Sequence, residues 1–192
     1  MATAGHALET VRYVVDERAS QFVVQAFAGG LISVVAHSPK IAIRDWKCHA
    51  SFSLGNLAAA VLRAEVQLNS LEVTDELRES EKRELHRVMH QEVLESAKFP
   101  ELTFISRKVN PTLLKDNLYH VDITGRLNLH GVTNEVDLST QVAFGDNTLR
   151  ATGHFTLLQS DYGIKIASIA GGTLKLQDEL KFSFYVVARK EK

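Results

Sequence analysis

The chain has 192 residues, 45% apolar and 23% charged, enough for one globular domain and too few for two with separate cores. With 22 Lys and Arg against 23 Asp and Glu the net charge is −1, so no overall positive field draws it to nucleic acid or an anionic membrane. Three prolines and 11 glycines exclude collagen-like and low-complexity chains, no apolar run approaches the roughly 20 residues of a membrane helix, and the single cysteine, Cys48, excludes an internal disulfide.

The first ten residues lack the basic start and apolar run of a secretion signal. As written the chain reads as cytoplasmic; had a leader been removed, it would read as periplasmic or secreted. Residues 1–192 are taken as a single domain.

Apolar and polar residues then alternate along most of the chain, the mark of strands with one buried face. The first strands are predicted at Val11–Val15, Gln21–Phe27, Leu31–Ala36, Lys40–Leu54 and Leu62–Leu68. His37 precedes Ser38-Pro39, where the proline stops or bends a strand. It either bonds a polar ligand head near a barrel mouth or serves as an ordinary loop histidine on the backbone. Cys48 and His49 are strand neighbours that project to opposite faces, so they form no nucleophile–base pair.

Between Asp75 and Phe99 the period becomes helical: Leu85, Met89, Val93 and Ala97 recur every four residues, joined by Val88, with Glu79, Lys82, Arg83 and Arg87 on a polar side. Pro100 marks the expected end. His86 and His90 stand four apart, a spacing at which both imidazoles reach one metal ion. Arg87, however, occupies the place of the general-base glutamate of H-E-x-x-H, and Lys82 and Arg83 add positive charge. A solvated helix face is the simpler reading, with a metal-dependent enzyme as a rival; no metal site is assigned.

A strand at Leu102–Val109 leads into the clearest pattern in the sequence. From Asn117 to Phe144, Tyr119, Val121, Ile123, Leu127 and Leu129 share one face, and Val136, Leu138, Val142 and Phe144 repeat it, with Gly131–Asn134 read as the turn of a hairpin. Strands at Leu149–Leu157 and Leu180–Arg189 complete the set. Gly125, Gly153 and Ala64 fall on apolar faces, where they either leave lengthwise space or mark close strand packing. Asp161 lies in Gln159-Ser-Asp-Tyr-Gly-Ile164, a polar interruption that reads first as an Asx-type turn.

An all-β chain of this kind suits a barrel or a sandwich, and without a Cys-Trp-Cys framework the barrel is favoured. Nucleophile-elbow, phosphate-loop and dinucleotide motifs are absent from the sequence, so no cofactor is expected. The aromatics are not interleaved with Lys or Arg as in RNA-binding sheets, and no nucleic-acid partner is expected.

Phe99-Pro-Glu-Leu-Thr-Phe104, Gly125-Arg-Leu-Asn-Leu-His-Gly-Val-Thr133, Ser160-Asp-Tyr-Gly-Ile164 and Asp178-Glu-Leu-Lys-Phe-Ser-Phe184 occur in an order and spacing that resemble the YceI-like family of lipocalin-like lipid-binding proteins. The resemblance spans nearly the whole chain. It implies an elongated eight-stranded antiparallel barrel, a helix-bearing excursion over about residues 75–99, and a narrow apolar channel. It also implies a long-chain amphiphile as ligand, of polyisoprenoid, quinone-like or fatty-acyl type, carried without catalysis or membrane insertion, and a homodimer as in many members. Where many members have an arginine before the Ser-Asp-aromatic-Gly motif, this chain has Gln159.

By strand face, the channel is assigned to Phe22, Phe27, Tyr119, Ile123, Leu127, Val142, Phe155, Phe182 and Phe184, and the head-group or mouth positions to His37, Asp161 and Tyr162. The alternative to a carrier is a solidly packed barrel whose helix engages another protein.

Overall fold

The computed structural model describes residues 10–29, 38–53, 55–166, 168–169 and 174–191. The predicted strand Leu31–Ala36 and His37 lie outside them. Twelve strands form one antiparallel sheet: β1 (Thr10–Val15), β2 (Gln21–Gly29), β3 (Lys40–Ile43), β4 (Trp46–Ser53), β5 (Asn56–Gln67), β6 (Leu71–Val73), β7 (Glu101–Lys115), β8 (Leu118–Leu129), β9 (Val132–Phe144), β10 (Thr148–Leu158), β11 (Ser168–Ile169) and β12 (Leu174–Lys190).

The neighbours run β1-β4-β5-β7-β8-β9-β10-β12, and β12 pairs back onto β1 through Tyr13 and Lys190, which closes an eight-stranded barrel. Strands β2, β3 and β6 continue β1, β4 and β5 towards one end, pairing in the order β12-β2-β3-β6. Three barrel strands are therefore each bent once, and each bend interrupts the ladder.

Serines restore the lost bonds. At the β1–β2 bend Ser20 Oγ donates to Asp16 O at 2.7 Å and accepts from the Val187 amide at 2.9 Å. At the other two bends Ser70 Oγ donates to Gln67 O at 2.7 Å and accepts from the Asp45 amide at 2.9 Å. A backbone group left unpaired here would carry the full cost of desolvation, which is why short hydroxyl side chains stand at these corners.

Several boundaries move from their expected places. Lys40–Leu54 is two strands, because the chain bends at Arg44–Asp45. Strand β5 begins at Asn56 rather than Leu62; the run Leu57-Ala-Ala-Ala60 has neither alternation nor strong strand propensity to announce it. The central hairpin turns at His130-Gly131, not over Gly131–Asn134: both residues have positive φ, 54° and 78°, as a two-residue type I′ turn requires.

The helix is shorter than its period suggested. It runs as α1 (Glu79–Arg87), with the Arg78 amide donating to Glu81 Oε2, and continues as a wider π turn over Val88–Val93. Glu95, at φ 44°, ends it before Pro100 is reached, so Ala97 lies in the following turn. Leu85, Val88, Met89 and Val93 face the barrel and cover its lower end.

Candidate functional site

The barrel encloses two apolar cavities in series. The upper, about 200 Å³, is lined by inward positions of all eight strands, among them Tyr13, Trp46, Cys48, Phe52, Phe104, Ile123, Leu127, Val142, Phe155 and Phe184. The lower, about 100 Å³, lies under the helix between Val24, Ile41, Leu71, Val88, Met89, Leu129 and Leu180. Val66, Leu102 and Phe182 line both and form a waist between them.

Aromatic rings mark the channel's levels. Near the upper rim Tyr13 stacks on Phe52 with centroids 5.5 Å apart, and Phe144 meets Tyr13, Phe52 and Tyr119 edge-on. Around the waist Phe155 stacks on Phe182 at 4.6 Å, while Phe22 bridges Trp46, Phe182 and Phe184. Two of the glycines on apolar faces serve this packing rather than adding room. A Cβ on Gly125 would strike the Phe104 ring, and one on Gly153 would lie 2.6 Å from Phe184 Cζ. Glycine lets each ring lie flat on the wall opposite.

The chemistry of the lining is nearly featureless. In the upper cavity Thr140 and Cys48 are, among the described residues, the only side chains with a hydroxyl or thiol besides Tyr13, and the Thr140 hydroxyl is spent on Thr152 O at 2.8 Å. Burial pushes the Cys48 thiol up to about 12, which removes it as a nucleophile at neutral pH. In the lower cavity the polar side chain is Gln159, whose Nε2 donates to Gln177 O at 3.0 Å. No charged side chain lines either cavity among the described residues. A space of this size without free polar partners does not hold ordered water well and suits an apolar guest.

Seven of the nine channel positions expected from sequence line the cavities: Phe22, Ile123, Leu127, Val142, Phe155, Phe182 and Phe184. Tyr119 stands just outside the lining, its ring against Phe144 at 5.7 Å. Phe27 is a correction. Five residues after Phe22, it has the opposite strand parity, and its neighbour Ala26 points into the lower cavity instead. The positions not foreseen lie mainly on β1, β4, β5 and β7. Trp46-Lys-Cys-His-Ala-Ser-Phe52 alternates cleanly and carried the signal on β4; the alanine run of β5 did not.

Two of the expected head-group residues, Asp161 and Tyr162, lie at the lower end. Asp161 is exposed, and its backbone carbonyl accepts from Asn134 Nδ2 at 2.8 Å. Tyr162 is fully buried in the core, where burial and the Asp161 charge raise its phenol, and its hydroxyl has no hydrogen-bond partner among the described residues. Ser160 holds this turn by donating its amide and hydroxyl to Asp178, which keeps that carboxyl below its ordinary range. Asp161 and Tyr162 are thus parts of a fastened corner and do not converge on one polar site.

The rings of His86 and His90 lie with centroids 4.2 Å apart, their planes tilted by 50°. His90 Nε2 donates to Leu71 O at 3.1 Å, which fastens the helix to β6, and Nδ1 lies 3.2 Å from Ser96 Oγ in the turn that follows, so both nitrogens are engaged. Burial, aided by His86, holds its pKa below that of an ordinary histidine. No group of three or more candidate metal ligands occurs among the described residues.

A closed antiparallel barrel around a narrow apolar channel places the chain in the lipocalin-like class. A model of the YceI-like domain matches residues 13–188, and the chain belongs to that family. A UPF0312 protein of Pseudomonas savastanoi pv. phaseolicola is 28% identical over 197 residues, covering 99% of this chain and 93% of its own. Among solved structures, Burkholderia cenocepacia BcnA is similar with a TM-score of 0.70 at 18% identity, covering 90% of this chain and 98% of that one. A polyisoprenoid binding domain from Saccharophagus degradans, implicated in plant cell wall breakdown, gives 0.67 at 15% identity over 93% and 98%. At these identities the structural likeness speaks to the fold.

Proposed function

We propose that this chain binds and carries, or sequesters, a long-chain amphiphile of the polyisoprenoid, quinone-like or fatty-acyl class, without catalysis. The observation that carries the reading is the two-cavity channel, apolar on every strand, with its few polar side chains already bonded to the backbone or buried. Each methylene moved from water into such a lining gains about 0.8 kcal/mol, so a dozen of them outweigh the cost of association. The similar domain from Saccharophagus degradans, described as polyisoprenoid binding, points the same way.

The absence of charge in the lining among the described residues favours a ligand whose buried part is neutral. A charged head would have to stay in water or be neutralised, since the described lining offers it no counter-ion. Gln159, where many relatives of the resemblance carry arginine, fits this preference. A solidly packed interaction module is disfavoured by the open interior.

Organic extraction of unheated protein, with mass spectrometry against a mock purification, tests the proposal. A stoichiometric long-chain compound is the expected result. An empty extract, with no uptake of isoprenoids, quinones or fatty acids afterwards, overturns it.

A further inference from the structure

We propose that the barrel wall between β5 and β7 is a docking face for an anionic lipid bilayer, through which the channel exchanges its ligand sideways. The exchange rests on the carrier reading above; the docking does not.

The backbone ladder of the wall parts there. Backbone pairing of β5 with β7 stops at Arg63 and Ile105. Strand β7 runs on from Ser106 to Lys115 with β8 as its partner, and β5 reaches back to Asn56 with β4 as its partner. Next in line, the Leu62 amide donates to the Ser106 hydroxyl at 2.9 Å instead of to a carbonyl. At roughly 3.3 Å per residue the stretch of β5 without a ladder to β7 is on the order of 20 Å, running up to the rim. Pro111, which has no amide to give a second neighbour, suits this one-sided segment of β7.

Apolar side chains are exposed along both lips. Leu113 shares the inward parity of Val109 and Pro111 and is 57% exposed, because it stands at the rim, beyond the end of β5. A bulge leaves Leu114 beside it at 52%, and Ile105 and Val61 are 45% and 41% exposed. Val61 and Pro111 also line the upper cavity, so the gap communicates with the channel.

Charge selects the partner. Residues 56–63 and 105–115 contain Arg63, Arg107, Lys108 and Lys115 and not one Asp or Glu, although the whole chain is at −1. None of the four takes part in an ion pair among the described residues. Cations and proline alone would serve to keep bare strand edges from pairing with another chain. The leucines beside them would undo that protection, whereas apolar tips flanked by cations match the headgroup zone of an anionic bilayer.

Flotation of the full chain with phosphatidylcholine vesicles, with and without phosphatidylglycerol, tests this. Binding is expected only with the anionic lipid and is expected to fall steeply with salt. The pairs Arg107→Glu with Lys108→Glu, and Leu113→Ser with Leu114→Ser, should each weaken it about tenfold or more, while Leu158→Ser and Lys181→Glu on other walls leave it unchanged. Transfer of cis-parinaric acid from the same vesicles should slow in parallel in the two lip variants. Absence of vesicle binding, or binding indifferent to both pairs, overturns the docking face, and uptake of cis-parinaric acid from solution in that case leaves the carrier reading standing. A chain that docks and takes up no probe overturns the exchange and counts against the carrier reading. A dimer in light scattering that dissociates in the leucine variant, with no vesicle binding, assigns the face to a second copy and overturns the proposal.

Discussion

The two ends of the barrel are held by different forces. At the lower end polar side chains fasten the backbone: His90 to Leu71 O, Gln159 to Gln177 O, Ser160 to Asp178, Asn134 to Asp161 O, and His130 to Glu95 at 3.1 Å. At the upper end the turns are short, the rim is aromatic, and one wall has parted between β5 and β7. Specific hydrogen bonds fasten the lower end, and non-directional apolar contacts hold the upper one.

Phe182→Ala, at the waist, should separate the regimes most sharply. It removes a ring packed on Phe22 and Phe155 and merges the two cavities, for a loss of about 3–5 kcal/mol in denaturant unfolding. Ser20→Ala strips a donor from Asp16 O and an acceptor from the Val187 amide, and should cost about 1–3 kcal/mol in the same measurement.

The floor should also respond to acid. Burial keeps the native His90 pKa below its unfolded value, near 6.5, so the unfolded chain binds the extra proton between those two values. Stability is therefore expected to fall as pH drops from about 6.5 towards the native pKa, and a His90→Gln variant should lose that part of the slope in unfolding curves taken across the range. The smallest effect belongs to the open end: Leu114→Ser should shift stability by no more than about 0.5 kcal/mol, since the side chain is already in water.

The sequence made the floor and the walls legible to different degrees. Alternation over Tyr119–Phe144 set the β8–β9 hairpin and its inward face, because both strands are half-buried and a slip by one residue would invert every side chain. Phe27 is misplaced because, five residues from Phe22, it cannot share one strand face with it. Strand β5 was cut short because Leu57–Ala60 carries no period, and the three bends escaped because serine bonds across the sheet depend on partners up to 167 residues away. The parted wall was hidden twice over. Strand pairing is a relation between distant segments, and a net charge of −1 averages away four clustered cations. Asp161 and Tyr162 illustrate a related difficulty, since a polar cluster that fastens a turn reads in one dimension like one that meets a ligand.

The waist of Val66, Leu102 and Phe182 has a consequence for selectivity by length. A guest short enough to end above it meets the upper cavity alone, whereas a longer one must displace three well-packed side chains before its tail gains the room beneath. Affinity across a homologous series should then climb by even increments, pause, and climb again, so that the barrel works as a two-notch gauge rather than a continuous ruler.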